Sequence, residues 1–145
     1  MLNELYNSIL INKFISCFQK KGKKELVENK FYKALLNLKK KNLNGILLLF
    51  YAIEIVRPTM LAIRSVKRGT VLYVGTSLTL KQQYFTSIRW IVNSIVSQKG
   101  TNLINKIINE LLSIVFLFKG GALKKKKENY LIIFKNRALT HYRWK

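Results

Sequence analysis

The sequence VRPTMLAIRSVKRGTVLYV, residues 56–74, decides the fold because the hydrophobic period changes within it. Its proline disfavours helical geometry in the preceding residue and ends the helical pattern there. Two runs rich in β-branched residues, 63–66 and 71–74, then flank a glycine turn. The pattern predicts a β-hairpin arm over about residues 59–76. Its cationic tip consists of Lys67, Arg68 and Gly69. Because a lone hairpin is marginally stable, we expect this arm to rest on another molecule.

On both sides of this segment, apolar residues recur at helical spacing. The predicted helices cover residues from about 6 to 18, 25 to 38, 42 to 56, 79 to 98, 101 to 119 and 125 to 139. The sequence therefore predicts a mainly α fold: a bundle of about six helices with one protruding β-hairpin between the third and fourth helices. At this length we expect one domain, residues 1–145.

Capping residues and apolar faces predict where the helices begin and end and which side of the final helix faces inward. Thr79 and Gln82 have the spacing of a capping box. The other predicted N-caps are Asn42 and Thr101. The glycine pair 120–121 is predicted to end the fifth helix. In the final helix, the residues predicted to face inward are Leu131, Phe134 and Ala138.

The charge balance indicates an anionic partner. The chain has 27 Lys and Arg against 6 acidic residues, all of them Glu, so its formal net charge is +21. Self-repulsion at this charge disfavours a compact free monomer. Binding nucleic acid neutralises phosphates and releases condensed counterions, which gives strong, salt-dependent affinity. The hydrophobic content of 49% still allows a real core, so the charge does not imply disorder.

The chemistry needed for catalysis is missing from the sequence. There is no Asp, and the single His has no sequence-adjacent Asp or nucleophile, so neither a carboxylate pair nor a triad is indicated. One Cys and one His cannot build a tetrahedral zinc site, and no phosphate-binding glycine loop occurs. We therefore expect no enzymatic activity, no metal and no cofactor. The longest apolar runs are interrupted by charge, so we expect no membrane span.

The candidate nucleic-acid contacts are basic and aromatic residues in several clusters. Lysines supply nonspecific phosphate neutralisation, whereas arginines clamp phosphate with two donors or stack on bases. The predicted contacts are Lys20, Lys21, Lys23, Lys24, Arg57, Arg64, Arg89, Lys124, Lys125, Arg137, Tyr142, Arg143 and Trp144. The last three belong to the terminal motif HYRW, residues 141–144, which we expect to form part of an interface.

Four segments carry a resemblance to a known family. They are GKK at residues 22–24, VRPT at 56–59, IRWIV at 88–92, and the stretch from Gly120 through ALKK and NRA to the terminal HYRW. These segments resemble the small-subunit ribosomal protein seven family. They occur in the family's order and near its spacing, so the resemblance covers roughly residues 10–144. The chain departs from the family at Gln82 and Gln83, where bacterial relatives carry arginines, and in a shortened basic N-terminal arm.

The resemblance implies a structural protein of the small ribosomal subunit that is not a homo-oligomer. Such a protein binds the 3′ major domain of the small-subunit rRNA and nucleates assembly of the head. The hairpin tip would lie near the exit-site tRNA and the mRNA path, and neighbouring head and platform proteins would be further partners. An apolar final helix suggests that an extra protein covers that face.

The amino-acid composition indicates where the protein is made. Lysines outnumber arginines 21 to 6, and Ile and Asn are abundant, as expected from a gene very rich in A and T. No secretory signal or Arg-rich import sequence is recognisable at the N-terminus. We therefore expect an organelle-encoded protein of the mitochondrial matrix and its ribosome, with a plastid as the alternative.

Two other classes of protein are compatible with a basic helical chain. A DNA-binding regulator would place a recognition helix in a groove, but it would need polar base-reading residues where these helices carry lysine-rich faces. A membrane-surface protein would bind anionic lipid through basic amphipathic helices. The central hairpin and the short, capped helices argue against the membrane-surface class.

Overall fold

The computed structural model of the protein describes residues 2–19, 21–67, 69–100 and 102–139. Within these residues, six helices surround one hydrophobic core, and a two-stranded antiparallel hairpin joins the third helix to the fourth. The elements are α1 (Leu2–Phe18), α2 (Lys24–Lys39), α3 (Gly45–Val56), β1 (Met60–Lys67), β2 (Thr70–Ser77), α4 (Leu80–Ser97), α5 (Leu103–Val115) and α6 (Gly121–Lys135). The predicted mainly α fold is confirmed.

Helix α5 lies at the centre of the bundle and packs against α2, α3, α4 and α6. Its residues Ile107, Leu111 and Ile114 are fully buried, as the 3.6-residue period requires of one helix face. At the other side of the core, Phe14 of α1 contacts Phe31 of α2, with ring centroids 5.4 Å apart. Burial of large side chains from α1 to α5 is the main source of stability here.

The helix ends agree with the sequence pattern in some places and correct it in others. Helix α3 ends at Val56, just before the predicted Arg57–Pro58 stop. The predicted Thr79 capping box is present, and Gln82 Oε1 accepts a hydrogen bond from the Thr79 amide at 3.0 Å. The prediction of Asn42 as the N-cap of α3 was wrong. Asn44 caps it instead, because its side chain accepts from the amides of residues 46 and 47.

The start of α5 also differs from the prediction by one residue. Its N-cap is Asn102, whose side-chain oxygen accepts from the Ile104 amide at 3.1 Å, so Thr101 was the wrong cap. Thr101 itself lies outside the described residues. Both errors concern polar residues one or two positions apart that satisfy the same capping preference.

The glycine pair serves a different role from the one predicted. Helix α5 ends at Val115, and Gly120–Gly121 begins α6 instead of ending α5. Gly120 has φ +143°, which side-chain-bearing residues rarely adopt. A Cβ atom on Gly121 would collide with the Ser94 side chain of α4. The pair is needed because the chain enters α6 in tight contact with α4 and α5.

A buried carboxylate lies beneath this junction. Glu110 of α5 is 2% exposed. One of its oxygens accepts from Ser94 Oγ at 2.7 Å and from the Ala122 amide at 3.4 Å, and the other accepts from Gln98 Nε2. A buried anion is tolerated when hydrogen bonds replace its lost hydration. Glu110 therefore connects α4, α5 and the first turn of α6.

The inward face of α6 was predicted wrongly. Leu131 and Phe134 are 58% and 65% exposed, and Ala138 is exposed as well. The buried residues are Ala122 and Asn129, which are seven positions apart and therefore lie on one side of the helix. At 100° per residue, Leu131 lies about 200° around the helix from Asn129, on the opposite side.

In the described part of the chain, no helix is long and apolar enough to cross a membrane.

Replacing Glu110 with alanine is expected to lower the free energy of unfolding by about 3 kcal/mol, because three donors lose their acceptor in the core. Glu110→Gln should cost less, since it keeps the shape and one acceptor oxygen. The control is Glu128→Ala on the exposed surface of α6, expected to cost less than about 0.5 kcal/mol. Urea unfolding followed by circular dichroism measures all three, and equal midpoints for the two alanine variants would contradict this role.

Candidate RNA-binding surface

The base of the hairpin is attached to α6 by one buried side chain. The Asn129 amide donates from Nδ2 to the carbonyl of Met60 at 2.9 Å, and its Oδ1 accepts from the amide of Ala62 at 3.0 Å. These are backbone groups on the outer edge of β1, where a third strand would otherwise pair. Asn129 thus takes the place of a neighbouring strand and fixes the angle at which the hairpin leaves the bundle.

Two further contacts support this attachment. A Cβ atom on Gly75 would lie 2.8 Å from Cγ2 of Ile133, so the absence of a side chain there allows α6 to approach β2. The phenol of Tyr130 accepts from the Thr59 amide at 3.0 Å. Burial raises the pKa of Tyr130, but its hydrogen bonds with Thr59 and the nearby charge of Lys126 outweigh that effect, so the pKa is lowered from its ordinary value.

The outer half of the hairpin is exposed. Each strand has eight residues, which corresponds to about 26 Å of extended chain. Arg64 pairs across the strands with Tyr73, and both side chains are exposed on one face of the ribbon. Lys67 pairs with Thr70, which leaves a two-residue turn whose second residue, Gly69, has φ +77°. This places an arginine and a tyrosine at facing positions on the exposed part of the arm.

The arginine at the base of the hairpin is engaged within the chain. Arg57 forms an ion pair with Glu54 at 2.8 Å and donates a hydrogen bond to the Tyr84 hydroxyl at 3.0 Å. Its guanidinium also lies 5.3 Å from the centroid of the Tyr84 ring. Arg57 is half-buried, so part of its donor capacity is already used to hold the ends of α3 and α4 together.

Helix α6 carries a run of four lysines in its first two turns. Lys124 and Lys127 are exposed, and Lys125 is half-buried. Lys126 points toward the bundle and donates to the carbonyl of Ile55 at 2.6 Å. Just beyond the other end of α6, the Arg137 guanidinium lies 5.2 Å from the centroid of the Phe134 ring. Helix α6 packs on the hairpin, so these cations and those of the arm lie on neighbouring elements of the fold.

The remaining predicted contacts are more scattered. Lys21, Lys23 and Lys24 are exposed at the junction of α1 and α2, and Arg89 is exposed on α4. For Lys67 only the backbone is described. The predicted contacts that lie outside the described residues are Lys20, Arg68, Tyr142, Arg143 and Trp144. The structure therefore brings the hairpin and α6 together and leaves the first loop as a separate cationic site.

The cations of this chain find little compensation inside it. Among the residues that the structure describes, one ion pair is present, between Glu54 and Arg57. Glu110 is committed to neutral donors in the core. The described residues also contain no group of His, Cys or Glu side chains placed to hold a metal ion. The surface is therefore organised to attract anions.

Sequence reasoning missed the residues that mount the arm. Asn129 and Tyr130 occupy consecutive positions in a helix of mixed composition, and their partners are about 70 residues earlier in the chain. A buried asparagine amide with backbone partners on a strand edge has no periodic signature. The nearest signal is Gly75 within a strand pattern, which indicates the close approach of another backbone or side chain.

Comparison with known proteins gives the class and then the family. The family model described as ribosomal protein S7p/S5e matches residues 1–136. The protein is thus a structural, non-enzymatic component of the small ribosomal subunit. The chain belongs to the ribosomal protein S7p/S5e family, as its sequence motifs predicted.

Three relatives illustrate the extent of the similarity. The small ribosomal subunit protein uS7 of Nautilia profundicola is 35% identical over 146 residues, covering 99% of this chain and 93% of that protein. The proteins of the same name from Nitratiruptor sp. and Campylobacter concisus are 33% and 32% identical, over 99% and 97% of this chain and 93% and 90% of their own lengths. These relatives are bacterial, so the mitochondrial origin stays a prediction.

Replacing Asn129 with alanine is expected to loosen the hairpin from α6, because two partly buried backbone groups of β1 lose their partner. We expect a loss of about 2 kcal/mol in unfolding free energy and faster hydrogen exchange at the Ala62 amide. The control is Asn136→Ala, since the Asn136 side chain bonds to its own helix at the Ile132 carbonyl. Hydrogen exchange read by mass spectrometry distinguishes them, and unchanged protection of Ala62 would rule out the anchoring role.

Proposed function

We propose that this protein binds the 3′ major domain of the small-subunit rRNA and nucleates assembly of the head. The observation that supports this most directly is the uncompensated charge: a formal net charge of +21 with one ion pair among the described residues. Phosphate is the abundant anion in a ribosomal subunit, and its neutralisation by lysine and arginine releases counterions. Membership in a ribosomal protein family makes rRNA the natural partner.

The contacts divide by chemistry. Exposed lysines of the first loop and of α6 neutralise backbone phosphates at several points, and this positions the protein without reading sequence. The arginines act locally, since a guanidinium binds phosphate with two donors or stacks on a base. Arg64 beside Tyr73 is suited to an unstacked nucleotide, and Arg89 to a phosphate next to α4. The terminal residues Tyr142, Arg143 and Trp144 add stacking groups.

The hairpin has a different role from the core surface. Its outer half contributes little to the buried core, whereas Asn129 and Gly75 fix its base on α6. A stiffly mounted arm with a cationic tip is suited to reach a mobile nucleic acid beyond the rRNA. We assign its tip, at Lys67, Arg68 and Gly69, to the neighbourhood of the exit-site tRNA and the mRNA path.

We further propose that the whole chain acts as one domain in a mitochondrial ribosome, among neighbouring head and platform proteins. The support is the composition: 21 lysines to 6 arginines, with abundant Ile and Asn, indicate an A/T-rich gene. Peptide mass spectrometry of small subunits purified from mitochondria and from plastids of the source organism tests this assignment. Finding the peptides only in plastid subunits, or only in cytosolic ones, would overturn it.

The isolated protein should bind a 3′ major domain rRNA fragment with an affinity that falls steeply as salt increases. For six or more phosphate contacts, we expect about a thousandfold weakening between roughly 50 and 200 mM salt. Filter binding or fluorescence anisotropy measures it, with a length-matched fragment from the 5′ domain as the specificity control. A flat salt response would exclude electrostatic binding, and equal affinity for both fragments would exclude the 3′ major domain as the specific target.

Shortening the hairpin by replacing residues 64–72 with a tight turn should leave incorporation into the subunit largely intact while weakening exit-site tRNA binding. The reason is that the outer half of the arm packs little against the core. Gly75→Val is the contrasting variant, because its side chain would push α6 from the arm's base and reduce incorporation. Sedimentation of reconstituted subunits and tRNA filter binding give the two readouts. Failure of the shortened protein to incorporate would make the hairpin an assembly element.

A further inference from the structure

Helix α3 is apolar on every side, yet it is not buried on every side. Its sequence, GILLLFYAIEIV, contains one charged residue, Glu54. The inward face includes Leu49 and Ala52, which are fully buried, while Leu47 and Tyr51 on the outward face are 54% and 63% exposed. A helix that is apolar all round is normally surrounded by other protein. The outward face of α3 is therefore incomplete in the isolated chain.

Two grooves border this face. One, of about 630 Å³, lies between α2 and α3 and is lined by apolar side chains that include Tyr32, Leu36 and Ile46. The other, of about 320 Å³, lies on the remaining side of α3 and is lined by Leu47 and Tyr51 together with side chains of α1 and α4. Helix α3 contributes to both grooves, with Ile46 lining the larger and Leu47 and Tyr51 lining the smaller, and we call the two grooves together the α3 surface.

The charges around the α3 surface select the kind of occupant. The helix itself offers no cation to a phosphate, and the nearby Arg57 is already paired with Glu54. A second copy of the chain would bring another formal charge of +21 to the contact, which opposes self-association. At the end of the larger groove, α2 finishes in three consecutive exposed lysines, 39–41, of which Lys39 lines the groove. An apolar partner with acidic residues at this end would match both features.

We propose that the α3 surface binds an amphipathic helix of another protein, with an apolar stripe in the two grooves and acidic residues facing lysines 39–41. Apolar anchors at helical spacing fit such grooves side by side. The opposite charge at one end sets the direction of the bound helix and raises the rate of encounter. This inference rests on the protein's being in the ribosome, but it does not depend on which rRNA segment the hairpin or α6 contacts.

The test uses photo-crosslinking in assembled small subunits. Tyr32 in the larger groove and Tyr51 in the smaller groove are replaced one at a time by the photoreactive amino acid p-benzoylphenylalanine, which resembles tyrosine in shape. Tyr73 on the exposed hairpin receives the same replacement as a comparison position. After irradiation, mass spectrometry identifies the molecule and the residue attached at each position. We expect Tyr32 and Tyr51 to crosslink to one helical segment of a second protein that contains acidic residues, and Tyr73 to crosslink to RNA.

Each crosslinking result supports or overturns the helix-docking inference, and Tyr73 tests the RNA-binding role of the hairpin separately. Crosslinks from Tyr32 and Tyr51 to rRNA, to a second copy of this chain or to nothing would overturn the helix-docking inference. If Tyr73 still crosslinks to RNA in those cases, the proposed RNA-binding function stands by itself. Conversely, protein crosslinks at the α3 surface with no RNA crosslink at Tyr73 would support the docking inference and count against the assigned role of the hairpin.

A charge-introducing variant gives a second measurement. Leu36→Glu places an anion in the larger groove, where it repels the acidic end of the partner and disrupts the apolar contact. We expect at least a tenfold loss of the Tyr51 crosslink, with an unchanged melting temperature because Leu36 is 59% exposed. Leu117→Glu is the matched control, since Leu117 is 64% exposed and lines neither groove. Equal crosslink yields in the two variants would overturn the proposal.

Discussion

The position of α6 depends on one buried carboxylate, and the hairpin depends on α6. Glu110 lies in the central helix and accepts hydrogen bonds from α4 and from the first turn of α6. Removing an anion from water is costly unless fixed donors replace the water, so the three helices are constrained to the arrangement that supplies them. Gly121 is part of this constraint, because any side chain there would collide with Ser94.

Contacts farther along α6 then orient the hairpin. Once α6 is fixed at its start, Asn129 two turns later faces the edge of β1 and Ile133 faces Gly75. The arm is thus oriented by hydrogen bonds and a close approach, while its outer half stays free of the core. The base of the hairpin therefore contributes to the stability of the fold, whereas its outer half is available for nucleic acid.

Periodicity explains which features the sequence could predict. The helices, the hairpin and the Thr79 capping box are local patterns, and the structure confirms them. The inward face of α6 could not be predicted from periodicity. Asn129 is buried because it forms hydrogen bonds with backbone groups of β1, which are far away in sequence, and Leu131 therefore faces outward. Likewise, charge and motif predicted a basic ribosomal protein, but the division of contacts depends on where phosphates lie, which the shape of the RNA determines.

The lysines at the start of α6 have a thermodynamic consequence for the unassembled protein. Positive side chains in the first turns oppose the partial positive charge of a helix N-terminus. In the free chain, Glu110 offsets this at one amide, while Lys124 and Lys127 remain unscreened except by salt. Bound phosphates would turn that repulsion into attraction, so α6 gains stability on assembly. Copies made in excess of the subunits would lack this stabilisation of α6.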